Sequence, residues 1–496
     1  MQGKNFSSAC VRVINGPVFA SMPEWVFANK SNAFGRSGRR LSPMAEKERT
    51  LFGTDGIRGV ANRHPMTPAL MLRAGMAVAS LYRNAARRHR ILIGRDTRLS
   101  GPMIEDALVA GICSMGVDAL TVGVLPTPAV AFLTQDMKAD AAIMISASHN
   151  PFEDNGIKIF QGNGLKLPDA AEARIEALMA SGSLGESAPS GASIGRAREI
   201  AGAEGRYAVF LKNAFPKALS LEGLRVVVDC AHGAGYRIAP LVLEELGAEV
   251  IPMANSPDGK NINLRCGATH PDAVAAAVRR HRAHAGIALD GDADRVIFAD
   301  EKGHVVDGDH LMAICAIDMK ARRQLRKNTV VATVMSNMGF EIAMQAAGIR
   351  LIRTQVGDRY IQERMLKNGY NLGGEQSGHL IFLDHTTTGD GILSALRVLA
   401  VMQRRERPLS ELASVMTTLP QVLVNVNVEQ RKALDSVPAV RKAIADAERK
   451  LAGKGRVLVR FSGTQTLCRV MIEGPSQKEI TAMANELAEV IRKNMK

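Results

Sequence analysis

With 496 residues, the chain exceeds what one hydrophobic core organises, and about three to four domains are expected. A composition of 46% hydrophobic and 23% charged residues is that of a soluble globular protein, and no apolar run approaches the ~20 residues of a membrane helix, so no membrane partner is expected. The net charge of +14 invites nucleic acid, but 4% aromatic content and no dense basic block argue against it, while six scattered cysteines without CxxC spacing exclude a zinc site or disulfide framework and suit a reducing, cytoplasmic setting.

Residues 1–48 lack periodicity and read as a disordered N-terminal extension. Up to position 43 they hold six basic residues against one acidic, which leaves +9 for the rest, a balance that a basic cleft for a small anion explains as well as nucleic acid would. That balance also suits a transit peptide, but no amphipathic helix supports one, and Met44 is an alternative start. From Thr50 the texture changes to a glycine-rich turn segment, LFGTDGIRGVAN, that holds Arg58. Thr67 as N-cap and Pro68 as first helical residue predict a helix to about Arg88. Strand Ile91–Ile93, the loop GRDTRLSG, a helix from Pro102 to Met115 and a further strand and helix lead into Ala142–Ile145, whose unbroken apolar character predicts a strand covered on both faces. This alternation, with a helix near Ala171–Ala180 and a linker at 181–195, makes 49–212 an α/β domain. A second, 213–308, opens with the strand Leu224–Cys230 and closes with Gly286–Asp290 running into Val296–Asp300. A third, 309–419, has a helix at 309–322, strands Thr329–Met335 and Arg350–Val356, the loop GGEQSGH before an apolar strand, and a helix to about Arg405. Residues 420–496 read as a smaller two-layer α+β module.

Ser148, His149, Asn150 and Pro151 follow the strand at Ala142–Ile145, at the carboxyl edge where open α/β sheets place ligands. Ser and Asn are commonly plain turn formers there, and neighbours in extended chain point apart, so His149 is poorly placed to deprotonate Ser148. Asn155-Gly156 turns the chain and brings Lys158 back toward the same edge. In Asp290-Gly291-Asp292-Ala293-Asp294-Arg295, three carboxylates at alternate positions converge as a hard divalent cation requires. A calcium EF-hand is excluded, because Arg295 stands where that loop needs glycine and strands flank it; magnesium facing a phosphate fits better. Glu375, Ser377 and His379 beside paired glycines suit a polyhydroxylated ligand or an ordinary turn. Arg460 to Gln465, with Arg469, reads as a phosphate cradle or a surface hairpin.

Together the segments FGTDGIRG (52–59), SASHNPFEDNGIK (146–158), DGDADR (290–295), GEQSGH (374–379) and RFSGT (460–464) resemble the α-D-phosphohexomutase family from about residue 50 to the end, with FGTDGIRG and GGEQSGH resembling its aminosugar branch. The resemblance implies four domains around a deep cleft, three of them α/β with mixed sheets between helices and the last a smaller α+β domain, each lending one loop. It implies that Ser148 is the phosphorylated serine, that Ser148, Asp290, Asp292 and Asp294 hold one Mg2+, and that Arg58, Lys158 and His379 assist transfer. His149, Gly357, Asp358, Arg359, Glu375 and Ser377 would bind the sugar phosphate, and Arg460, Ser462, Gly463, Thr464 and Arg469 its distant phosphate. The activity implied is interconversion of glucosamine 6-phosphate and glucosamine 1-phosphate by way of glucosamine 1,6-bisphosphate, supplying UDP-N-acetylglucosamine synthesis, with a phosphosugar as partner and a homodimer compatible. A glucose or mannose phosphate mutase of the same family and a non-catalytic sugar-phosphate-binding regulator are the alternatives. Thr464-Gln465-Thr466 departs from the family's Thr-Glu-Pro: Gln keeps an acceptor but loses a charge, and the proline constraint is gone.

Overall fold

Runs of β-branched and other apolar residues alternating with helices build four sheets. The computed structural model describes residues 51–53, 55–84, 87–429, 433–461 and 467–495, so the disorder expected over 1–48 lies outside the described residues. The first sheet contains β1 (Ile57–Val60), β2 (Arg90–Arg95), β3 (Asp118–Val124), β4 (Ala141–Ile145), β5 (Asp154–Gln161) and β6 (Ala197–Glu199), in the order β1-β5-β4-β2-β3-β6. The second contains β7 (Arg225–Asp229), β8 (Glu249–Met253), β9 (Ala285–Leu289), β10 (Val296–Asp300) and β11 (Val305–Val306), ordered β11-β10-β9-β7-β8. β12 (Thr329–Thr333), β13 (Arg350–Thr354), β14 (Leu372–Gly374) and β15 (Leu380–Phe382) form the third, ordered β13-β12-β14-β15. The last is antiparallel throughout: β16 (Gln421–Asn427), β17 (Arg456–Phe461) and β18 (Leu467–Glu473), with β18 in the middle.

The first three sheets repeat one plan. In each, a central strand has a parallel neighbour on both sides and an antiparallel strand is then added, giving β5-β4-β2-β3, β10-β9-β7-β8 and β15-β14-β12-β13. The added strand makes a hairpin with the one before it, so 146–153, 290–295 and 375–379 are connections at equivalent places in three units. In the last sheet β17 and β18 are likewise antiparallel neighbours.

One apolar core runs through all three units, from Leu92 and Phe160 through Val228 and Phe298 to Phe340 and Leu396, and locks them together by burial. The fourth module has a core of its own, in which Val426, Val470, Ile480 and Leu487 pack its helices on one face of its sheet. The helix opening at Pro68 is capped by the Thr67 side chain, which accepts from Leu70 N–H at 3.3 Å, but it ends at Tyr82 rather than near Arg88. The basic residues beyond it are drawn into other contacts: Arg83 donates to Ser187 O at 2.7 Å, and Arg88 pairs with Asp118 at 3.1 Å. Those distant partners outweigh the continued helical pattern. Among the described residues no helix is long and apolar enough to cross a membrane.

Candidate active site

β4 is buried along its whole length, and the chain breaks from it into a polar loop at Ser146. Ser148 takes a left-handed backbone (φ 53°), uncommon for a serine, with its N–H donating to Ser146 Oγ at 2.8 Å. The loop is held from beneath by Arg98, which is 1% exposed. Its guanidinium pairs with Asp96 at 2.9 Å and donates to the carbonyls of Ser148 (2.9 Å), Asn150 (2.8 Å), Asp154 (3.0 Å) and Pro151. With these carbonyls turned inward, Ser148 Oγ donates to Asp290 Oδ2, 2.6 Å away in the second unit.

Asp290, Asp292 and Asp294 are all buried, and one carboxylate oxygen from each lies within 4.8 Å of the others. Thr127 Oγ1 donates to Asp292 Oδ2 at 2.5 Å, Arg295 N–H donates to Asp290 Oδ1 at 3.1 Å, and Lys158 Nζ reaches Asp292 at 2.7 Å and Asp294 at 3.1 Å. Burial, then the charges of Asp294 and Asp292, push the Asp290 carboxyl well above the usual carboxylate range. Burial acts the same way on Asp294, but Lys158 and His379 hold it well below that range. Like charges in one small volume separate in this manner. Among the described residues the Oδ1 atoms of Asp292 and Asp294 are buried without a hydrogen-bond partner, and with Ser148 Oγ alongside, the all-oxygen donor set fits a hard divalent cation, whose charge would favour the ionised form of Asp290.

Lys158 reaches the cage because β5 returns antiparallel along β4, placing it opposite Met144. Burial opposes its charge, but Asp292, Asp294 and Asp55 hold its pKa well above the ordinary lysine value. Asp55 also pairs with Arg58 and with Lys166, whose Nζ lies 2.6 Å from Asp358 Oδ2 of the third unit. His379 stands between Asp294 (3.7 Å) and Asp358 (3.4 Å), with Gly389 N–H donating to its Nε2 at 3.0 Å; burial opposes its charge, yet those acids raise its pKa. Gly378, one residue before it, has φ 91°, and a Cβ there would meet Val296 O at 2.1 Å. Only glycine lets this loop close on the β9–β10 hairpin, where Val296 N–H donates to Gly378 O at 3.0 Å.

The Nδ1 of His149 is buried without a hydrogen-bond partner among the described residues, and burial, then Arg295 and Arg58, lower its pKa to about 4. Glu375 is half-buried and Ser377 exposed, with the Ser377 hydroxyl 3.4 Å from Glu375 Oε2. Gly357 precedes the helix Asp358–Asn368; Asp358 is engaged by Lys166, and Arg359 pairs with Glu172 and Asp169 of the first unit. Both side chains therefore fasten the third unit to the first. Arg460 and Arg469 face each other across the β17–β18 ladder, where burial and Arg469 lower the pKa of Arg460 and the Nε of Arg469 is buried without a hydrogen-bond partner among the described residues. Like charges opposed on a ladder are unfavourable unless an anion lies between them. Ser462, Gly463, Thr464, Gln465 and Thr466 lie outside the described residues.

Arg98, Thr127, Asp55 and Lys166 are contributors that no sequence motif marks. Arg98 sits in GRDTRLSG and Asp55 in FGTDGIRG, both noticed as loops, and a charged residue at the mouth of a strand was the available signal. Thr127 and Lys166 carried none, since their partners lie more than a hundred residues away.

Models of the phosphoglucomutase/phosphomannomutase family match the chain in four consecutive pieces: alpha/beta/alpha domain I over residues 49–186, domain II over 206–303, domain III over 307–419 and the C-terminal domain over 423–490. A phosphoglucosamine mutase of Geotalea uraniireducens is 60% identical over 445 residues, 90% of this chain and 98% of its own length. One of Geobacter metallireducens is 59% identical over 445 residues, 90% and 99% of the two chains. Among solved structures, a phosphoglucomutase/phosphomannomutase family protein of Burkholderia thailandensis superimposes with a TM-score of 0.74 at 21% identity, over 90% of this chain and 97% of that one. An N-acetylphosphoglucosamine mutase of Aspergillus fumigatus, solved with GlcNAc-6P and magnesium, does so with a TM-score of 0.65 at 18% identity, over 90% and 96%. At such identities the structures establish the fold. With four domains matched in order and relatives aligned along nearly their whole length, the chain belongs to the phosphoglucomutase/phosphomannomutase family of isomerases, and within it to the phosphoglucosamine mutases.

Proposed function

We propose that this enzyme interconverts glucosamine 6-phosphate and glucosamine 1-phosphate through phosphorylated Ser148 and a glucosamine 1,6-bisphosphate intermediate. The observation that carries the reading is Ser148 Oγ lying 2.6 Å from Asp290 in a buried site with Asp292, Asp294 and Lys158. A serine isolated from solvent, turned toward clustered acids and a buried ammonium, suits exchange of a phosphoryl group rather than its loss to water. The group leaves Ser148 Oγ for the C1 hydroxyl of the sugar, whose proton ends on Ser148; the 6-phosphoryl of the bisphosphate then returns to Ser148, and the C6 oxygen takes the proton back.

Ser148 with Asp290, Asp292 and Asp294 would hold Mg2+, which when bound polarises the phosphoryl oxygens. Lys158, fixed in its charged form, and Arg58 balance negative charge at the transfer position. His379, whose Nε2 accepts from Gly389 N–H, holds its proton on Nδ1 beside Asp294 for shuttling at the transfer position, whereas His149, lowered to about 4, faces the ligand uncharged. Glu375 and Ser377 are open to sugar hydroxyls. Arg460 and Arg469, with the loop 462–464, take the phosphate that is not reacting. The boundaries at 212, 308 and 419 are proposed as the joints of four such units, and the five described cysteines, all unpaired thiols, support a cytosolic setting.

The test is a coupled assay on glucosamine 6-phosphate, with peptide mass spectrometry of the Ser148 region on the same sample. Turnover with phosphate found on Ser148 is expected, and faster turnover of glucose or mannose phosphates would overturn the aminosugar assignment.

A further inference from the structure

We infer that Asn263 is a positioning residue for phosphoryl transfer: from the second unit it holds the Ser148 loop of the first in register with the carboxylate cage. The inference rests on the Ser148 reading above.

Asn263 lies between β8 and the helix Pro271–His281, is 8% exposed, and is anchored in its own unit by its N–H donating to Ala231 O at 2.9 Å. Its backbone is left-handed (φ 59°), a conformation that Asn adopts more readily than most residues. The side-chain Nδ2 donates to Ser148 O at 2.9 Å and to Asn150 O at 3.0 Å. These are the same two carbonyls that Arg98 takes from the other side. The two carbonyls orient the amide, because its Oδ1 has no hydrogen-bond partner among the described residues. Two bonds from one rigid amide to carbonyls two residues apart fix both the distance and the rotation of the loop.

Arg98 belongs to the same unit as Ser148 and moves with it. Asn263 belongs with Asp290 and can therefore relate the nucleophile to the cage. An independent feature marks the same junction. A Cβ placed on Gly291, inside the Asp290–Asp294 loop, would lie 2.6 Å from Ser148 O and 2.8 Å from Asn263 Nδ2. The two loops and the amide thus meet with no room for a methyl group, and the Ser148–Asp290 contact is set by that fit.

Asn263→Ala in the full chain tests this. Loss of register should lower kcat about 10- to 100-fold, since misplacement of about 1 Å costs that much, while KM for glucosamine 6-phosphate moves less than about threefold. Transfer of phosphate from Ser148 to added glucosamine 6-phosphate, followed in a single turnover by intact-protein mass, should slow by the same factor. Asn263→Asp, of the same shape but turning only acceptors toward the carbonyls, should be slower still. A merely structural role would lower the melting temperature and leave the single-turnover rate of the folded fraction unchanged, and that result would overturn the inference. Asn263→Ser, which keeps one donor, carries the same comparison if the alanine variant does not fold. Wild-type protein that neither turns over glucosamine 6-phosphate nor carries phosphate on Ser148 would remove the underlying reading instead; active wild type with an equally fast Asn263→Ala removes the positioning role alone.

Discussion

Ser148 and its carboxylate cage are set among three units that share one apolar core, whereas Arg460 and Arg469 stand on a module with a core of its own. At the first place Ser148, Lys158 and Asp292 are at most 2% exposed, and the Ser148 carbonyl and the Asp292 carboxylate are held by Arg98, Thr127 and Asn263 from two units. At the second, β17 is half-exposed along its length, and among the described residues Arg460 has a hydrogen-bond partner only in Met335 Sδ, 3.8 Å away. Reacting atoms need fixed geometry in a water-poor setting, where each charge counts for more. A distant phosphate needs only concentrated positive charge, and on the proposed reading a separately built module would supply it while leaving the cage undisturbed.

Substitutions at the two places should therefore fail in different ways. The largest effect is expected from Ser148→Ala, which removes the proposed nucleophile and one hydrogen bond: turnover should fall by on the order of 10^4 or more. The lost bond costs only about 1 kcal/mol, so the melting temperature should stay close to wild type. Retained activity would end the phosphoserine scheme. Asp292→Asn comes next. It removes a charge from the cage while Lys158 keeps Asp294 and Asp55 as partners, so the rate should drop about 10²–10³-fold. Calorimetry should show weaker Mg2+ binding, and an unchanged titration would place the ion elsewhere.

The far end should break more gently. Arg469→Ala removes one of two opposed guanidinium groups, so KM should rise about tenfold or more while kcat changes less than about threefold. The reverse pattern would move Arg469 from substrate binding to the chemistry and erase the contrast between the two regions.

How much of this was legible in the chain follows the same division. The buried strands announced themselves by continuous apolar runs, as in Ala141–Ile145 and Ala285–Leu289, and the polar breaks after them marked the Ser148 and Asp290 loops. The shared strand order of three units was invisible, because pairing joins residues far apart and no repeat of sequence accompanies it. So was the clamp on the nucleophile: Arg98 and Asn263 are single polar residues in loops, and their partners lie 50 and 115 residues away. Asp358 and Arg359 were expected at the sugar, but nothing local showed that Lys166 and Glu172 would engage them. Periodicity reports which face is buried and says little about which distant charge a loop side chain will meet.

The smallest effect on activity concerns the mounting of the fourth module rather than either site. Asn337 bonds the connecting chain twice, its Nδ2 donating to Leu419 O at 3.0 Å and its Oδ1 accepting from Leu419 N–H at 3.0 Å, while Glu473 of the module accepts from Met338 N–H at 3.1 Å. Beneath them, Asp309 accepts the Asn337 N–H at 2.7 Å, and burial, followed by the charge of Asp307, raises its pKa to about 7. An acid whose pKa is higher folded than unfolded contributes stability that is complete below its unfolded value and is lost as pH rises through about 7. Asp309→Asn keeps the acceptor and removes that titration. Relative to wild type it should gain on the order of 2–3 kcal/mol between pH 5 and pH 8, read as a melting-temperature difference that widens across this range. Activity per folded molecule should change little, because the cage is supported from the other three units. A difference that stays constant with pH would show that the Asp309 carboxyl is not neutral in the folded enzyme, and a loss of kcat in step with it would tie the mounting to the transfer site and dissolve the separation between the two regions.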